Sequence, residues 1–572
     1  MKFNGAYLFV DDEQHSLRLG KKDFFETLYT DFAFEKTDTF DRLVLQLHPK
    51  RDVQLQALYL EYDFPFKSGD RIFCNGFQSW TESREYELNE RLPHLRPIAK
   101  RWLGMAGDYH IDLPKGTGLF HSWTMAYVRR GQQYFFIGSL NEASGFSWIE
   151  LDTQAHKIRF HLDAKGLLLT HSFPAIDLIQ ITTTDSKSLW DLYFQQYGCA
   201  PIPRQQLKGW TSWYHYYTDI TESIIFDNLK AFQDRQIELD IFQIDDGYQT
   251  AVGDWLSIKA DFPNGMAPIA KRIKSAGYRP GLWLAPFICS QQSKLFKEHP
   301  NWILKDEKGQ ALKVGYNPLW KGWFYALDFY HTEVQTYLAG VFHTVIHKWG
   351  FELLKLDFLY AVCLLPRKNK TRGQVMDAAM QLLRQLAGDT PLLGCGVPLG
   401  SAFGVVDYCR IGADIHLKWE HGLLKWAGHR ERVSTLLSLR NTLNRWPFDH
   451  RAFLNDPDVF LLRKEKNQLT PDQQYTILLV NSLLGSVLFT SDYVNDYDEL
   501  QWAEYEQALK WAEAEVREVK LYAQDVFLIY FVLDEIAFMA AVNLQVKEVM
   551  ISQGKTQVKL LPFESMVLQD RI

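Results

Sequence analysis

The sequence predicts a multidomain α/β chain with a central (β/α)8 barrel, an N-terminal β-sandwich and a small C-terminal β domain. Three observations carry that expectation. The chain has 572 residues, 47% apolar and 23% charged, enough to bury several cores and too long for one small module. From about residue 204 buried strands alternate with helices, the rhythm of βα units on a parallel sheet. On either side the pattern is of short alternating strands separated by turn residues.

Taken in order, residues 1–185 read as the sandwich, on runs such as 43–47, 134–138 and 158–162. Residues 186–203 form a linker, helical over 188–197 and closed by Pro201 and Pro203, which oppose regular structure. The barrel takes 204–519, with strands expected at 208–213, 239–244, 281–286, 352–357, 392–395, 408–411, 452–454 and 485–490. One intervening helix carries Pro268 in its first turns and stops at Gly277; another repeats Val334, Leu338, Val341, Val345 and Trp349 at helical spacing and ends at Gly350. A last barrel helix is expected over 499–519. The C-terminal β-sandwich domain, 520–572, follows with apolar runs at 526–532 and 536–544 separated by Asp534 and Glu535.

Charge and composition exclude several functions. Lys plus Arg number 62 against 69 Asp plus Glu, a net charge of −7, whereas binding to phosphate backbones calls for the opposite balance. Nucleic acid is not expected as a partner. Six cysteines, at 74, 199, 289, 363, 395 and 409, form no CxxC pair and are too sparse for a disulfide scaffold; they read as reduced thiols. The opening residues give one short apolar run closed by Asp11 and Asp12 rather than the apolar stretch of about 7–15 residues in a signal peptide, so a cytoplasmic location is expected. No uncharged apolar run of about 18 residues occurs, and no membrane insertion is expected. Eighteen Trp, 27 Tyr and 38 Phe make 15% aromatics; such rings suit the apolar faces of sugars, although core packing also accounts for them.

Barrel active sites lie at the C-terminal ends of the strands, and carboxylates converge there. The second strand ends in Asp245-Asp246, the fourth in Lys355-Leu356-Asp357, the fifth in Cys395, and the sixth runs from Arg410 to Asp414. Lys355 and Asp357, two apart on a strand, point the same way, so the cation should keep Asp357 ionised as a nucleophile requires; a structural ion pair is the alternative. Asp245 and Asp246 repel each other unless hydrogen-bond donors serve them, and sugar hydroxyls are suitable donors; a solvated turn is the alternative. Asp414 is the candidate second catalytic carboxylate. Arg410 favours its ionised form and an ionised Asp357 its protonated form.

Other motifs fail. His343 and His347 share a helix face without the Glu of a zinc-protease motif and read as solvated. No Walker A motif is present, and the glycines around Gly394-Cys395-Gly396 do not fit dinucleotide spacing. Neither a metal nor an organic cofactor is expected.

The chain resembles glycoside hydrolase family 36, the melibiase-type α-galactosidases, across roughly 75–495. The resemblance rests on Gly209-Trp210-Thr211-Ser212-Trp213-Tyr214, Ile244-Asp245-Asp246-Gly247-Tyr248, Gly281-Leu282-Trp283-Leu284, Lys355-Leu356-Asp357, Gly394-Cys395-Gly396-Val397-Pro398 and Arg410-Ile411-Gly412-Ala413-Asp414, in that order. Asn75-Gly76-Phe77-Gln78-Ser79-Trp80 resembles the N-terminal loop that brings a Trp to the barrel rim. The resemblance implies an N-terminal β-supersandwich and a retaining α-galactosidase acting on melibiose or raffinose. It makes Asp357 the nucleophile and Asp414 the acid/base. Asp245 and Asp246 would hold the 4- and 6-hydroxyls, Lys355 and Arg410 other polar edges, and Cys395 the 2-position. Trp213, Tyr214, Trp283 and Trp80 would form the walls. Longer members carry Lys-Trp-Asp at the nucleophile, so the chain is similar to a shorter branch, whose oligomeric state is open, a monomer included. The same site also suits an α-N-acetylgalactosaminidase or a galactosyl transglycosylase. A non-catalytic sugar-binding protein is the alternative of another class.

Overall fold

A computed structural model describes residues 1–11, 13–18, 21–109, 111–553 and 556–569. Asp12 and the last three residues of the expected C-terminal domain lie outside these ranges.

The first 183 residues build two antiparallel sheets. One runs Glu13–Leu17, Lys2–Val10, Val53–Asp63, Lys157–Leu162, Ser147–Asp152 and Leu119–Trp123, with Leu167–Leu169 also pairing Val53–Asp63. The other has eight strands centred on Phe40–Pro49, Phe173–Thr183 and Gln133–Ser139. Alternation sends one face of each strand inward, and Leu8, Leu58 and Leu60 of the first sheet share a core with Leu43, Leu45 and Leu47 of the second. Helix Ser186–Tyr197 follows, opened by Asp185 accepting from the Lys187 N–H and closed by left-handed Gly198.

Beyond Pro201 and Pro203 the chain enters a curled sheet of nine parallel segments: β1 Leu207–Thr211, β2 Ile241–Ile244, β3 Arg279–Leu284, β4 Leu353–Leu356, β5 Leu392–Gly394, β6 Tyr408–Arg410, β7 Leu454–Asp456, β8 Val459–Phe460 and β9 Val487–Thr490. Their order is β7-β6-β5-β4-β3-β2-β1-β9-β8, every pairing parallel. Only Pro457 and Asp458 separate β7 from β8, so the two ends of the sheet are consecutive pieces of chain. These strands are buried on both faces, which is why they read as unbroken apolar runs.

Two sequence expectations change, and one further piece of structure was not expected. The strand expected at 452–454 starts at Leu454 and is interrupted at Pro457, which lacks a ladder donor. The helix expected over 499–519 stops at Trp511, and Glu515–Ala523 is a strand of a four-stranded antiparallel sheet with Val526–Leu533, Ile536–Asn543 and Ser565–Gln569. Between β3 and β4 a three-stranded antiparallel excursion, Ile288–Ser290, Lys313–Asn317 and Gly322–Ala326, leaves the parallel sheet altogether.

The amino-terminal sheets are stitched to the strand ends by the loop around Trp80. The Ser79 N–H donates to Val397 O at 2.9 Å and the Gly396 N–H to Ser79 Oγ at 2.9 Å. Fully buried Arg445 donates to Ser79 O at 2.6 Å and Ile411 O at 2.7 Å. No helix among the described residues is long and apolar enough to cross a membrane.

Candidate active site

The C-terminal ends of the parallel strands open into a cavity of ≈ 590 Å³. Nine of the eleven residues singled out in the sequence line it: Trp80, Trp213, Tyr214, Asp245, Asp246, Trp283, Lys355, Asp357 and Asp414. Each stands at or just beyond a strand end, except Trp80, which the amino-terminal loop inserts. Gly396, at φ +58°, gives that indole room, since a Cβ there would lie 3.0 Å from its ring.

Asp357 follows β4 directly. Trp283 Nε1 donates to its Oδ2 at 3.0 Å and the Phe358 N–H to its Oδ1 at 2.8 Å, and Phe358 is held at φ +54° to do so. Lys355 favours the ionised form of Asp357 as expected, but its direct ion pair is with Asp245, its Nζ lying 2.8 Å from Asp245 Oδ2. Lys355 points to the inside of the curl, where Asp245 reaches it across β3. Burial pushes the Asp357 carboxyl above the usual carboxylate range, and the nearby Asp414 charge adds to this; Lys355, Trp283 and the Cys395 thiol pull it back only in part. Burial opposes the Lys355 ammonium too, but Asp245 beside it holds it above the usual lysine range.

The adjacent acids find protein donors. Asp245 Oδ2 also accepts from Gln243 Nε2 at 2.8 Å. Asp246 Oδ1 accepts from Gln249 Nε2 at 2.6 Å and its Oδ2 from Trp320 Nε1 at 2.7 Å. Burial nonetheless lifts Asp246 to about 6. Gly247, at φ +123°, makes the turn that follows; a Cβ there would lie 2.9 Å from Thr218 Cα.

Two expected contact residues are not on the wall. Arg410, expected at the sugar's edge, is ringed by carboxylates: Nη1 donates to Asp414 Oδ1 at 2.8 Å, Nε to Asp456 Oδ2 at 3.1 Å, and Nη2 lies 3.0 Å from Asp458 Oδ1. Cys395, expected beside the 2-position, lies behind the lining and accepts from Trp80 Nε1 at 3.3 Å; burial and the Asp357 charge keep its thiol protonated. Asp414 is the more open carboxyl, its side chain 34% exposed against 9% for the whole of Asp357.

The sequence reading missed Trp320, Trp102, His429 and Glu431, all on the cavity wall. Trp320 sits in the turn Asn317-Pro318-Leu319-Trp320 of the excursion, where an apolar residue inside a Pro-containing loop was the available signal. Trp102, 49% exposed, comes from helix Pro97–Leu103 of the amino-terminal region and stacks on Trp323 at 4.9 Å.

Residues 207–384 match the family model described as Melibiase. Over these residues the chain is similar to the melibiase family. Its fold is also that of the family 36 α-galactosidase AgaA from Geobacillus stearothermophilus, at TM-score 0.63 over 99% of this chain and 87% of that one, with 11% identity. The α-galactosidase TtGalA of Thermus thermophilus, solved with p-nitrophenyl α-D-galactopyranoside, gives TM-score 0.72 and 24% identity over 92% of this chain and 98% of that one. In sequence, α-galactosidase Mel36A of Lactobacillus acidophilus is 33% identical over 102 residues, 16% of this chain and 13% of that protein. AgaA is 31% identical over 153 residues, 26% and 20%. The aligned segments thus span a fifth or less of these relatives. The melibiase match covers β1 to β4, with Asp245, Asp246, Lys355 and Asp357 inside it and Asp414 beyond it.

Proposed function

We propose that the chain is a retaining α-galactosidase of the short-chain kind, hydrolysing terminal α-galactosyl groups of small galacto-oligosaccharides. One observation carries this: two carboxylates from different strands, Asp357 and Asp414, face one sugar-sized cavity in contrasting surroundings. Asp357 is buried and clamped by two N–H donors, which aim it as a nucleophile. Asp414 is open enough to exchange a proton with water, as an acid that later serves as a base must.

In the first step Asp357 attacks the anomeric carbon while Asp414 protonates the departing oxygen. In the second Asp414 takes a proton from water, which attacks the same carbon and frees Asp357. Asp245 and Asp246 retain lone pairs for sugar hydroxyls, Lys355 fixes Asp245, and Arg410 positions Asp414. Trp80, Trp213, Tyr214 and Trp283 supply the walls, and Cys395 orients Asp357 from behind. Galactose is then told from glucose by the axial 4-hydroxyl, because buried acceptors left without a donor are heavily penalised. That the solved relatives bind an aryl galactoside and stachyose supports the substrate class.

The same reading takes the curled sheet as a closed (β/α)8 barrel, supported by the continuity of β7 with β8, and the amino-terminal sheets as a sandwich around their shared core. The domains are then 1–185, a linker to 203, the barrel, and a C-terminal β domain entered after helix Glu499–Trp511. Six cysteines without disulfides among the described residues support a cytoplasmic location. The test is release of 4-nitrophenol from its α-galactoside without added metal, with the α-N-acetylgalactosaminide and α-glucoside in parallel and the sugar anomer followed by NMR. Initial α-galactose supports the proposal; initial β-galactose, or preference for another sugar, overturns it.

A further inference from the structure

We infer that Asp458 is a positioning residue for the acid/base step: it holds the Arg410 guanidinium so that Arg410 engages Asp414 through one oxygen only and leaves the other for the leaving group and for water. The inference deepens the galactosidase reading above and rests on it. Asp458 is wholly buried in the two-residue break between β7 and β8 and is not part of the cavity lining. The contacts its side chain makes nonetheless all go to groups beside the acid/base. The Tyr214 hydroxyl, on the cavity wall, donates to Oδ2. The N–H of Ile415, the residue after Asp414, donates to the same oxygen at 2.8 Å, and Oδ1 faces Arg410, 3.0 Å from Nη2.

A guanidinium is planar and carries its donors in a fixed fork. With Nε turned to Asp456 Oδ2 at 3.1 Å and Nη2 to Asp458, Nη1 is left for Asp414, and it meets Oδ1 at 2.8 Å. Arginine and a carboxylate otherwise favour a two-bond, fork-to-fork pair. That pair would occupy both oxygens of Asp414 and favour its ionised form, so the carboxyl could neither hand a proton to the departing oxygen nor take one from water. Asp458 draws Nη2 aside and, through Ile415, fixes the backbone directly after Asp414. Its own placement is strained and anchored, as a residue kept for its geometry requires. It stands at φ +80°, left-handed for a non-glycine residue. Its N–H donates to Asp456 Oδ1 at 2.9 Å, Ser438 Oγ donates to Pro457 O at 3.1 Å and Asn481 Nδ2 to Val459 O at 3.2 Å, so the chain is pinned on both sides.

The experiment measures kcat/KM for raffinose and for 4-nitrophenyl α-galactoside in wild type, Asp458→Asn and Asp458→Gly, with and without azide. Asn and Gly both accept the left-handed backbone, Asn keeps the side-chain size, and thermal melting reports whether each variant folds. The ratio of raffinose to aryl kcat/KM should fall about tenfold or more, the loss expected when a buried charge pair is broken, because the raffinose leaving oxygen depends on the acid and the nitrophenolate does not. Azide should raise aryl turnover in the variants and give α-galactosyl azide by NMR, since it attacks the anomeric carbon and frees the Asp357 carboxylate without needing a base. A general structural defect would lower both substrates alike. A folded variant whose ratio stays within about twofold of wild type, or whose aryl turnover azide leaves unchanged, therefore overturns the inference. If the wild-type protein hydrolyses neither substrate, the galactosidase reading fails on its own, and crystal structures of wild type and Asp458→Asn decide the positioning role. Arg410 meeting both oxygens of Asp414, or leaving it, upholds that role; an unchanged single contact overturns it.

Discussion

Trp320 is the sharpest test of how the cavity works, because this wall residue donates its one N–H to a strand-end carboxylate, Asp246. Its Nε1 lies 2.7 Å from Asp246 Oδ2, and its ring is buried, packed edge-on against Phe324 at 5.0 Å. Trp320→Phe keeps much of the apolar packing and deletes that donor. A hydrogen bond to a buried carboxylate is worth about 1.5–3 kcal/mol, and one pKa unit corresponds to about 1.4 kcal/mol. Asp246 stands at about 6, raised by burial and held down partly by Trp320 and Gln249. Without the indole it should rise by about one to two units, so that at pH 7 its ionised fraction drops from about nine-tenths to between one-half and one-tenth. An acceptor for sugar hydroxyls is weakened accordingly. The acidic limb of the kcat/KM profile for 4-nitrophenyl α-galactoside, which reports free-enzyme ionisations, should move up by about one to two pH units, with a smaller change at pH 8.5. Asp357, also raised by burial, is held by Trp283 and not by Trp320, so a limb set by Asp357 would stay in place. An unmoved limb in a folded variant would refute the role given to Asp246.

Three further outcomes are expected. Asp357→Ala should lose turnover by about three orders of magnitude or more, as removal of a covalent nucleophile does, with part regained on adding azide, read as galactosyl azide by NMR. Asp414→Ala should cost less on the aryl galactoside, whose leaving group needs little protonation, than on raffinose; equal losses would count against the acid role. Glu142, buried and raised by desolvation to about 7, binds a proton in the native state that the unfolded chain, at the ordinary 4.5, has released. Its effect is therefore a loss of about 3 kcal/mol of stability as pH rises from 4.5 to 7, constant above, so Glu142→Gln should narrow the Tm gap between pH 5 and pH 8.

The parallel strands were legible because burial on both faces leaves unbroken runs such as Ile241–Ile244, and carboxylates placed straight after them could only belong to the strand ends. Lys355 shows where such reasoning stops. Alternation along β4 correctly puts it on the same side as Asp357, but curvature of the sheet brings Asp245, two strands away, closer still. The excursion that carries Trp320 has no period to read, since its strands take three to five residues each. The error at 512–519 has a different origin. Glu, Ala and Arg there favour a helix, yet pairing of Glu515–Ala523 with Val526–Leu533 wins, as tertiary contacts commonly override propensity.

Trp80 connects these cases. Its indole reaches the cavity because the loop bearing it pairs with the chain after β5 and because Arg445, at the end of helix Thr435–Arg445, donates to backbone oxygens of both that loop and the chain after β6. Burying a guanidinium among carbonyls, without a carboxylate partner, lowers its pKa to about 9. That destabilising placement does nothing for the sheets by themselves. What it secures is registration: Trp80 against Cys395, Cys395 behind Asp357, and the segment 96–109 along the wall that holds His429 and Glu431. The strand-end carboxylates are placed by the parallel strands, whereas Trp80 and Trp102 on the cavity wall come from the amino-terminal region, so the cavity is complete only where the two parts of the chain meet.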